Sequence, residues 1–206
     1  MPLALHIFEE RYQEMIGRCL DEDRPFGVLL IREGVEAGGR ATPHRIGTAA
    51  QIVGHEKLLQ GRMNLVAVGQ QRFRLLKVSD NRPYLIGQVE YIPQVVGERI
   101  AMMNAALAVR RLFVQYMEAI KEITQSKFDL AALPEDAANL AYTVATAMQI
   151  GNDVKQTWLV ADSVQELLQG EASVLPKEIA RLHLMAETEK QREKKDDELM
   201  GPFSRN

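Results

Sequence analysis

The sequence has a single cysteine, Cys19, and no long apolar run. One thiol excludes an intrachain disulfide and a zinc site built on several cysteines, so a reducing compartment suits the chain. The first residues, "MPLALHIFEERY", lack the basic start of a secretory signal, and no run approaches membrane-spanning length. We therefore expect a cytoplasmic protein without membrane contact.

An excess of charge of one sign is also missing. The chain has 25 Lys and Arg against 28 Asp and Glu, which gives a formal net charge of -3. Such a balance provides no general attraction to nucleic acid or anionic lipid. The isolated "RFR" at residues 72–74 lacks the basic surroundings that phosphate binding needs, so we do not expect a nucleic-acid partner.

Motifs for catalysis are absent as well. The sequence contains no Gly-x-x-x-x-Gly-Lys-Ser/Thr loop, no His-Glu-x-x-His pair and no serine in a nucleophile-elbow pattern. The four histidines are scattered along the chain. We expect a binding or scaffolding protein with no enzyme activity, no cofactor and no metal. A hydrolase whose residues assemble only in space remains an alternative.

Residues 1–93 are predicted to be rich in short strands. Helical spacing of apolar residues in "FEERYQEMIGRCL" predicts one short helix, and strands are predicted near 26–31, over "IGTAAQIVGHEKL" and around "YLIGQVEYIP". The stretch 61–78 is interpreted as a hairpin that turns at "GQQ", because glycines bracket its first run. Alternation within it puts Arg72 and Arg74 on one face and Phe73 and Leu75 on the other.

Residues 94–206 are predicted to form a second, helical domain. A long helix follows Pro93, with a buried stripe of Val109, Phe113, Tyr116, Met117 and Ile120. A second helix is predicted from Pro134 in its first turn to a stop at Gly151. A third is predicted from Asn152 or Asp153 to Gly170, and a fourth, increasingly charged, from Pro176.

Four segments together resemble the Lon N-terminal domain family, the substrate-recognition domain of ATP-dependent Lon proteases. They are "PLALHIFEERY", "RPFGVLLIREG", "IGTAAQIVGHEKLLQGRMNLVAVGQQRFRLL" and "LPEDAANLAYTVATAMQI". The resemblance implies an α+β fold, with a PUA-like β pseudo-barrel followed by a C-terminal α-helical bundle. No ATPase or Ser-Lys peptidase motif follows, so it is similar to a stand-alone form, and a peptidase label would come by homology only.

The resemblance also raises an expectation about the start of the chain. Family members usually have an apolar, proline-containing strand before the part that corresponds to "LALHIFEERY". Met1 leaves no room for it in this numbering. We therefore expect either a truncated start or a barrel that is open at that place.

The family resemblance implies a module that binds exposed or unfolded protein segments, or an adaptor in proteolysis or protein quality control. Expected partners are protein or peptide clients, a protease or a chaperone, and weak self-association. Candidate contact residues are Met102 and Met103, because flexible thioethers suit promiscuous surfaces, although core packing explains them equally well. Arg72 and Arg74 are further candidates beside their structural role. An RNA-binding PUA-like module is the alternative.

Overall fold

The structure, a computed structural model, describes residues 2–35, 41–124 and 133–200, with side chains up to residue 192. Its strands are β1 (Pro2–Ile7), β2 (Phe26–Val28), β3 (Ile31–Glu33), β4 (Thr42–Pro43), β5 (Ile46–Lys57), β6 (Met63–Ser79) and β7 (Ile86–Tyr91). Its helices are α1 (Glu10–Asp21), α2 (Arg99–Thr124), α3 (Ala137–Ala147), α4 (Asn152–Val160) and α5 (Val164–Met200). The expected α+β class is confirmed. No helix in the described ranges has the length and apolar content that crossing a membrane requires.

The chain divides into two compact units. The first, called the sheet unit, comprises Met1–Val95 and Gln149–Val160, and the second, called the helical unit, comprises Val96–Met148 and Ala161–Asn206. The sequence analysis placed a single boundary after residue 93. In the structure α4 groups with the strands, although it follows two helices of the other unit in the chain.

The main sheet of the sheet unit is antiparallel and has the order β1-β6-β5-β2, with β7 also paired to β6. The predicted strand at 26–31 is split, because β2 pairs with β5 whereas β3 pairs with β4 in a separate ribbon. The predicted amphipathic helix is present as α1, and its Ile16 is fully buried. The core cluster around it consists of Ile7, Phe26, Ala50, Met63, Leu65 and Ala67.

The predicted hairpin within residues 61–78 is wrong, because β6 is one continuous strand of 17 residues. Ala50 pairs with Gly69 while Ala49 pairs with Gln71, which leaves Gln70 as the extra residue of a β-bulge. A bulge shifts the alternation of side chains by one position. Phe73 therefore lies on the opposite face from Leu65, where its ring approaches Gly27. Gly69, which was interpreted as part of a turn, lies next to a bulge instead.

The helical unit is built on α2, which packs against α3 and α5. The predicted buried stripe of α2 is confirmed for Val109, Phe113, Tyr116 and Ile120, whereas Met117 is only half-buried. Helix α3 begins after Asp136, whose carboxylate accepts a hydrogen bond from the Asn139 amide at 2.9 Å. The predicted start at Pro134 was therefore wrong, and the helix also ends before Gly151, at Ala147.

The predicted third helix, residues 152–170, is interrupted between α4 and α5. The Ser163 hydroxyl accepts a hydrogen bond from the Glu166 amide at 3.2 Å, and the Glu166 carboxylate accepts one from the Asp162 amide at 2.9 Å. This reciprocal capping starts a new helix. Gly170 does not end it, and Pro176 lies inside it, so the predicted third and fourth helices share α5.

Candidate protein-binding surfaces

Arg72 has a structural contact that the sequence did not reveal. Its guanidinium donates a hydrogen bond to the Leu159 carbonyl at 2.8 Å, in the last turn of α4. Carbonyls in a last turn lack helical partners and attract positive charge. Gln156 of the same helix donates to the Ile46 carbonyl of β5 at 3.0 Å. These two bonds fasten α4 to neighbouring strands of the sheet unit.

Arg74 is exposed and pairs with Glu90 across β6 and β7, with 3.1 Å between nitrogen and oxygen. An exposed ion pair contributes little to stability, but it neutralises the arginine locally. Both arginines therefore have partners within the sheet unit, which weakens the alternative of RNA binding through "RFR". A client contact at either one stays a prediction.

The two candidate methionines of α2 differ in their surroundings. Met102 is half-buried, whereas Met103 is 52% exposed. Ile100 and Leu107, 69% and 66% exposed, share a helix face with Met103. At about 100° per residue these three lie roughly opposite Val109 and Phe113. We call Ile100, Met103 and Leu107 the α2 outer stripe. Of the three residues of this stripe, the sequence analysis named only Met103, although the i, i+3, i+7 spacing could have revealed the other two.

The start of α2 is held firmly, which fixes the position of the outer stripe. The Glu98 carboxylate accepts hydrogen bonds from the amides of Ala101, at 2.7 Å, and Ile100, at 3.0 Å. These bonds, in that order, lower the pKa of Glu98. Gly97 has a φ of +94°, and a Cβ there would lie 2.7 Å from the Gln165 Cβ of α5. The turn before α2 thus requires glycine.

A shallow groove of about 500 Å³ lies on the sheet unit, and we call it the sheet groove. Ala4, Val66 and Gly54 are partners across β1, β6 and β5, and all three line the groove. The next row is polar: the His6 ring and Asn64 side chain are hydrogen-bonded at 2.7 Å, and Asn64 donates to Glu56 at 3.4 Å. The groove could accept a small apolar side chain beside a polar border.

Two buried or half-buried titratable groups provide no reactive site. Glu171 of α5 is fully buried, and neither carboxyl oxygen has a hydrogen-bond partner in the described part of the chain. Burial raises the pKa of Glu171 to about 9. The backbone amide of Ala145 favours the charged carboxylate and so lowers this pKa, but by less than burial raises it. Burial, then the charge of Glu22, raises the pKa of the Cys19 thiol. Both groups are therefore protonated at neutral pH, and Cys19 is a poor nucleophile. No three His, Cys, Asp or Glu residues among those described are grouped to hold a metal ion.

Comparison with known families gives a match over residues 1–177 to the ATP-dependent protease La (LON) substrate-binding domain. The chain belongs to the LON substrate-binding domain family. The resemblance noted in the sequence is thereby confirmed. The match covers the sheet unit and most of the helical unit, and includes the α2 outer stripe, the sheet groove and Glu171.

Relatives with this domain are much longer than the chain. Lon protease of Escherichia coli (strain K12) is 25% identical over 186 residues, which are 89% of this chain and 24% of that protein. Lon protease of Acinetobacter baumannii (strain AB307-0294) is 28% identical over 174 residues, 82% of this chain and 21% of that protein. The chain thus spans about a quarter of the length of the curated relatives it matches.

Solved structures of the domain have the same fold. A Lon N-terminal domain protein from Xanthomonas campestris matches with a TM-score of 0.58 and 21% identity, over 82% of this chain and 86% of that one. The N-terminal domain of a Mycobacterium avium complex Lon protease matches with a TM-score of 0.59 and 17% identity, over 87% of this chain and 90% of that one.

Proposed function

We propose that this chain is a protein-recognition domain that binds exposed apolar segments of unfolded proteins through the α2 outer stripe. The family supports recognition of protein substrates. The observation that carries the specific proposal is the exposure of Ile100, Met103 and Leu107 on one face of a well-capped helix. No catalytic role is assigned to the chain.

The outer stripe has the size and chemistry for an apolar segment. Its three side chains extend over about 10 Å of helix at 1.5 Å per residue. Covering them removes apolar surface from water, which contributes roughly 25 cal/mol per Å² before the cost of association. The unbranched thioether of Met103 can adopt several conformations, so it can pack against clients of different shape. Broad specificity for apolar sequence follows.

The biological setting that fits this activity is protein degradation or quality control in the cytoplasm. The named relatives are Lon proteases, in which the family domain is described as substrate-binding. We propose that the domain delivers bound clients to a protease or a chaperone. Such a partner would act on the client, while this domain contributes recognition.

The test compares one model protein in two states. A fluorescently labelled protein, reduced and alkylated so that it stays unfolded, is titrated with the chain and followed by anisotropy, and the native form serves as the reference. We expect binding of the unfolded form only. Leu107→Glu should weaken it by about tenfold or more, which corresponds to about 1.4 kcal/mol.

The matched control places the same charge elsewhere on the same helix. Gln115 is exposed on α2 and lies outside the outer stripe, so Gln115→Glu should leave affinity within about twofold, or 0.4 kcal/mol. Equal losses of affinity in Leu107→Glu and Gln115→Glu would show that the outer stripe is not the binding surface. Failure of the unmodified chain to bind any unfolded protein would remove the function itself.

A further inference from the structure

A cavity of about 490 Å³ lies between α1 and the connection from β5 to β6, and we call it the α1 pocket. Its volume is within the range of about 300 to 1,000 Å³ that is usual for ligand sites. All of its lining residues belong to the sheet unit. The apolar part of the lining consists of Leu20, Leu58 and Met63, and two cations, Lys57 and Arg62, lie beside it. The α1 pocket therefore offers an apolar wall next to positive charge.

The two cations of the α1 pocket have hydrogen-bond donors to spare. Among the described residues the Lys57 ammonium has no hydrogen bond or ion pair. The Arg62 guanidinium donates from Nε to the Leu59 carbonyl at 3.4 Å and from Nη2 to the Gln60 side chain at 3.0 Å. These bonds orient the guanidinium and leave Nη1 without a partner in the described part of the chain. Asp21 is the acidic residue of the described lining, so positive charge is in excess and the pocket attracts an anion.

The connection that contains Arg62 is fixed by several contacts. The Leu58 amide donates a hydrogen bond to the Arg62 carbonyl at 2.8 Å, which closes the turn. Gln60 and Gly61 both have left-handed backbone conformations, with φ of +62° and +73°. A Cβ at Gly61 would lie 2.5 Å from the Gln13 Oε1 of α1, so the helix packs closely on this turn. A preformed site loses less conformational entropy when a ligand binds.

Gly17 keeps the α1 side of the pocket open. It lies in the interior of α1, where glycine is less favourable than alanine. A Cβ at this position would meet no described side chain, and no described backbone outside its own helix, within 4 Å. Close packing therefore does not require glycine here. The missing side chain instead leaves space in the α1 pocket that a ligand can fill.

We propose that the α1 pocket binds a carboxylate that is joined to an apolar group. The two oxygens of the carboxylate would accept hydrogen bonds from Lys57 and from Nη1 of Arg62. The apolar group would lie against Leu20, Leu58 and Met63. A phosphate has no apolar part and would leave this wall exposed to water. Two sources have the required chemistry: a free aliphatic acid, and the C-terminal residue of a polypeptide that ends in an apolar side chain.

This inference goes beyond the proposed function and does not depend on it. The α1 pocket belongs to the sheet unit, whereas the α2 outer stripe belongs to the helical unit. Leu107→Glu, which should weaken binding of unfolded protein, should leave binding at the α1 pocket unchanged. Ligand binding at the pocket by a chain that fails to bind unfolded protein would leave this inference standing without the proposed function.

The first test compares an acid with its amide. Isocaproate is leucine without the amino group, and isocaproamide has nearly the same shape without the charge. The chain is labelled at its methionine methyls, because Met63 lines the pocket and Met148, buried in the helical unit, serves as the reference. We expect isocaproate to shift the Met63 signal to saturation and isocaproamide to bind at least about tenfold more weakly. Equal affinity for the two compounds, or no shift of Met63 with isocaproate, would overturn the inference.

The same spectra distinguish the two sources of the carboxylate. An acetylated peptide that ends in leucine is compared with isocaproate, and its amidated form is the control. Tighter binding of the free-ended peptide would identify a chain end as the ligand, and tighter binding of isocaproate would identify a free acid. Both results support the chemistry of the pocket. Equal binding of the free-ended and amidated peptides at Met63 would contradict it.

The second test changes the pocket itself. Lys57→Gln should weaken isocaproate binding by about tenfold, whereas Lys77→Gln, at an exposed position of β6 outside the pocket, should leave it within about twofold. Gly17→Leu fills the open space and should abolish binding. Leucine favours a helix more than glycine does, so the melting temperature should not fall, and the loss would not come from unfolding. Equal affinities in the two lysine variants, or unchanged affinity in Gly17→Leu, would overturn the inference.

Discussion

The two faces of α2 contain the same class of residue in opposite environments. On the inner face Val109, Phe113 and Ile120 are 0%, 3% and 6% exposed, whereas the outer stripe is 52% to 69% exposed. Apolar composition is therefore no guide to the role of a face, because both read as helical stripes in the sequence. Burial separates them: the inner face holds the helical unit together, and the outer face is available to a partner.

The contrast between the inner and outer faces of α2 requires that the inner face stabilise the fold. Phe113→Ala removes a ring that is 3% exposed and stacks on Tyr116 at 6.0 Å between centroids. We expect the free energy of unfolding to fall by about 3 to 5 kcal/mol. Denaturant unfolding checks this, and a midpoint equal to that of the unmodified chain would show that the inner face is not a core.

Glu171 adds a pH dependence to the same interior. Its pKa is raised from an ordinary value of 4.5 to about 9, so between these values the folded state keeps a proton that the unfolded state has lost. The contribution of Glu171 to stability should be greatest below this window and fall as the pH rises through it, by at most about 1.4 kcal/mol per pH unit. Glu171→Gln should reduce the pH dependence of the unfolding free energy, measured by denaturant unfolding between about pH 5 and pH 8.

The control for that measurement is an exposed acid on the same helix. Glu187 is exposed on α5, and Glu187→Gln should retain the slope of the unmodified chain. A slope that persists in Glu171→Gln would assign the pH dependence to other groups.

A substitution of the helix cap Ser163 tests where α5 begins and does not alter either face of α2. Ser163→Ala removes the acceptor of the Glu166 amide and should cost about 1 kcal/mol. Thermal unfolding gives the measurement. Restoration by Ser163→Asp, which also caps helices, is expected, and failure of aspartate to restore stability would contradict the capping role.

The smallest effect on stability is expected on the outer stripe. Met103→Glu replaces a side chain that is 52% exposed, so the unfolding free energy should change by less than about 0.5 kcal/mol. Affinity for unfolded protein should fall all the same. A large drop in melting temperature would mean that the outer stripe supports the fold, and the contrast between the two faces would disappear.

Long, strongly periodic elements could be predicted from the sequence. The stripe of α2 and the apolar face of α1 follow from spacing alone, because an amphipathic helix has apolar residues on its buried side in every turn. Short local signals misled in three places. Gly69 marks a bulge inside β6, Asp136 caps α3 in place of Pro134, and Ser163 starts a helix that continues through Gly170. Each depends on hydrogen bonds that residue type alone does not specify.

The candidate surfaces were predictable only in part. Met103 was named because of its side chain, but Ile100 and Leu107 required a distinction between two apolar faces, which depends on the packing of α3 and α5 against α2. Arg72 was placed on an outward face, and its contact with the Leu159 carbonyl joins residues 87 positions apart. No strand was assigned to Pro2–Ile7, although Leu3, Leu5 and Ile7 alternate with Ala4 and His6 in the sequence and lie on the more buried face of β1. The expectation of a further strand before it stays a prediction.

Methionine methyl groups allow the central claim to be measured within one helix. The chain is labelled at its methionine methyls, and carbon-proton correlation spectra are recorded as unfolded protein is added. We predict that the Met103 methyl, 52% exposed on the outer stripe, shifts in proportion to binding, while that of Met148, 1% exposed in the helical unit, does not. Binding that leaves the Met103 signal unchanged would contradict the assignment of the outer face of α2 as the recognition surface.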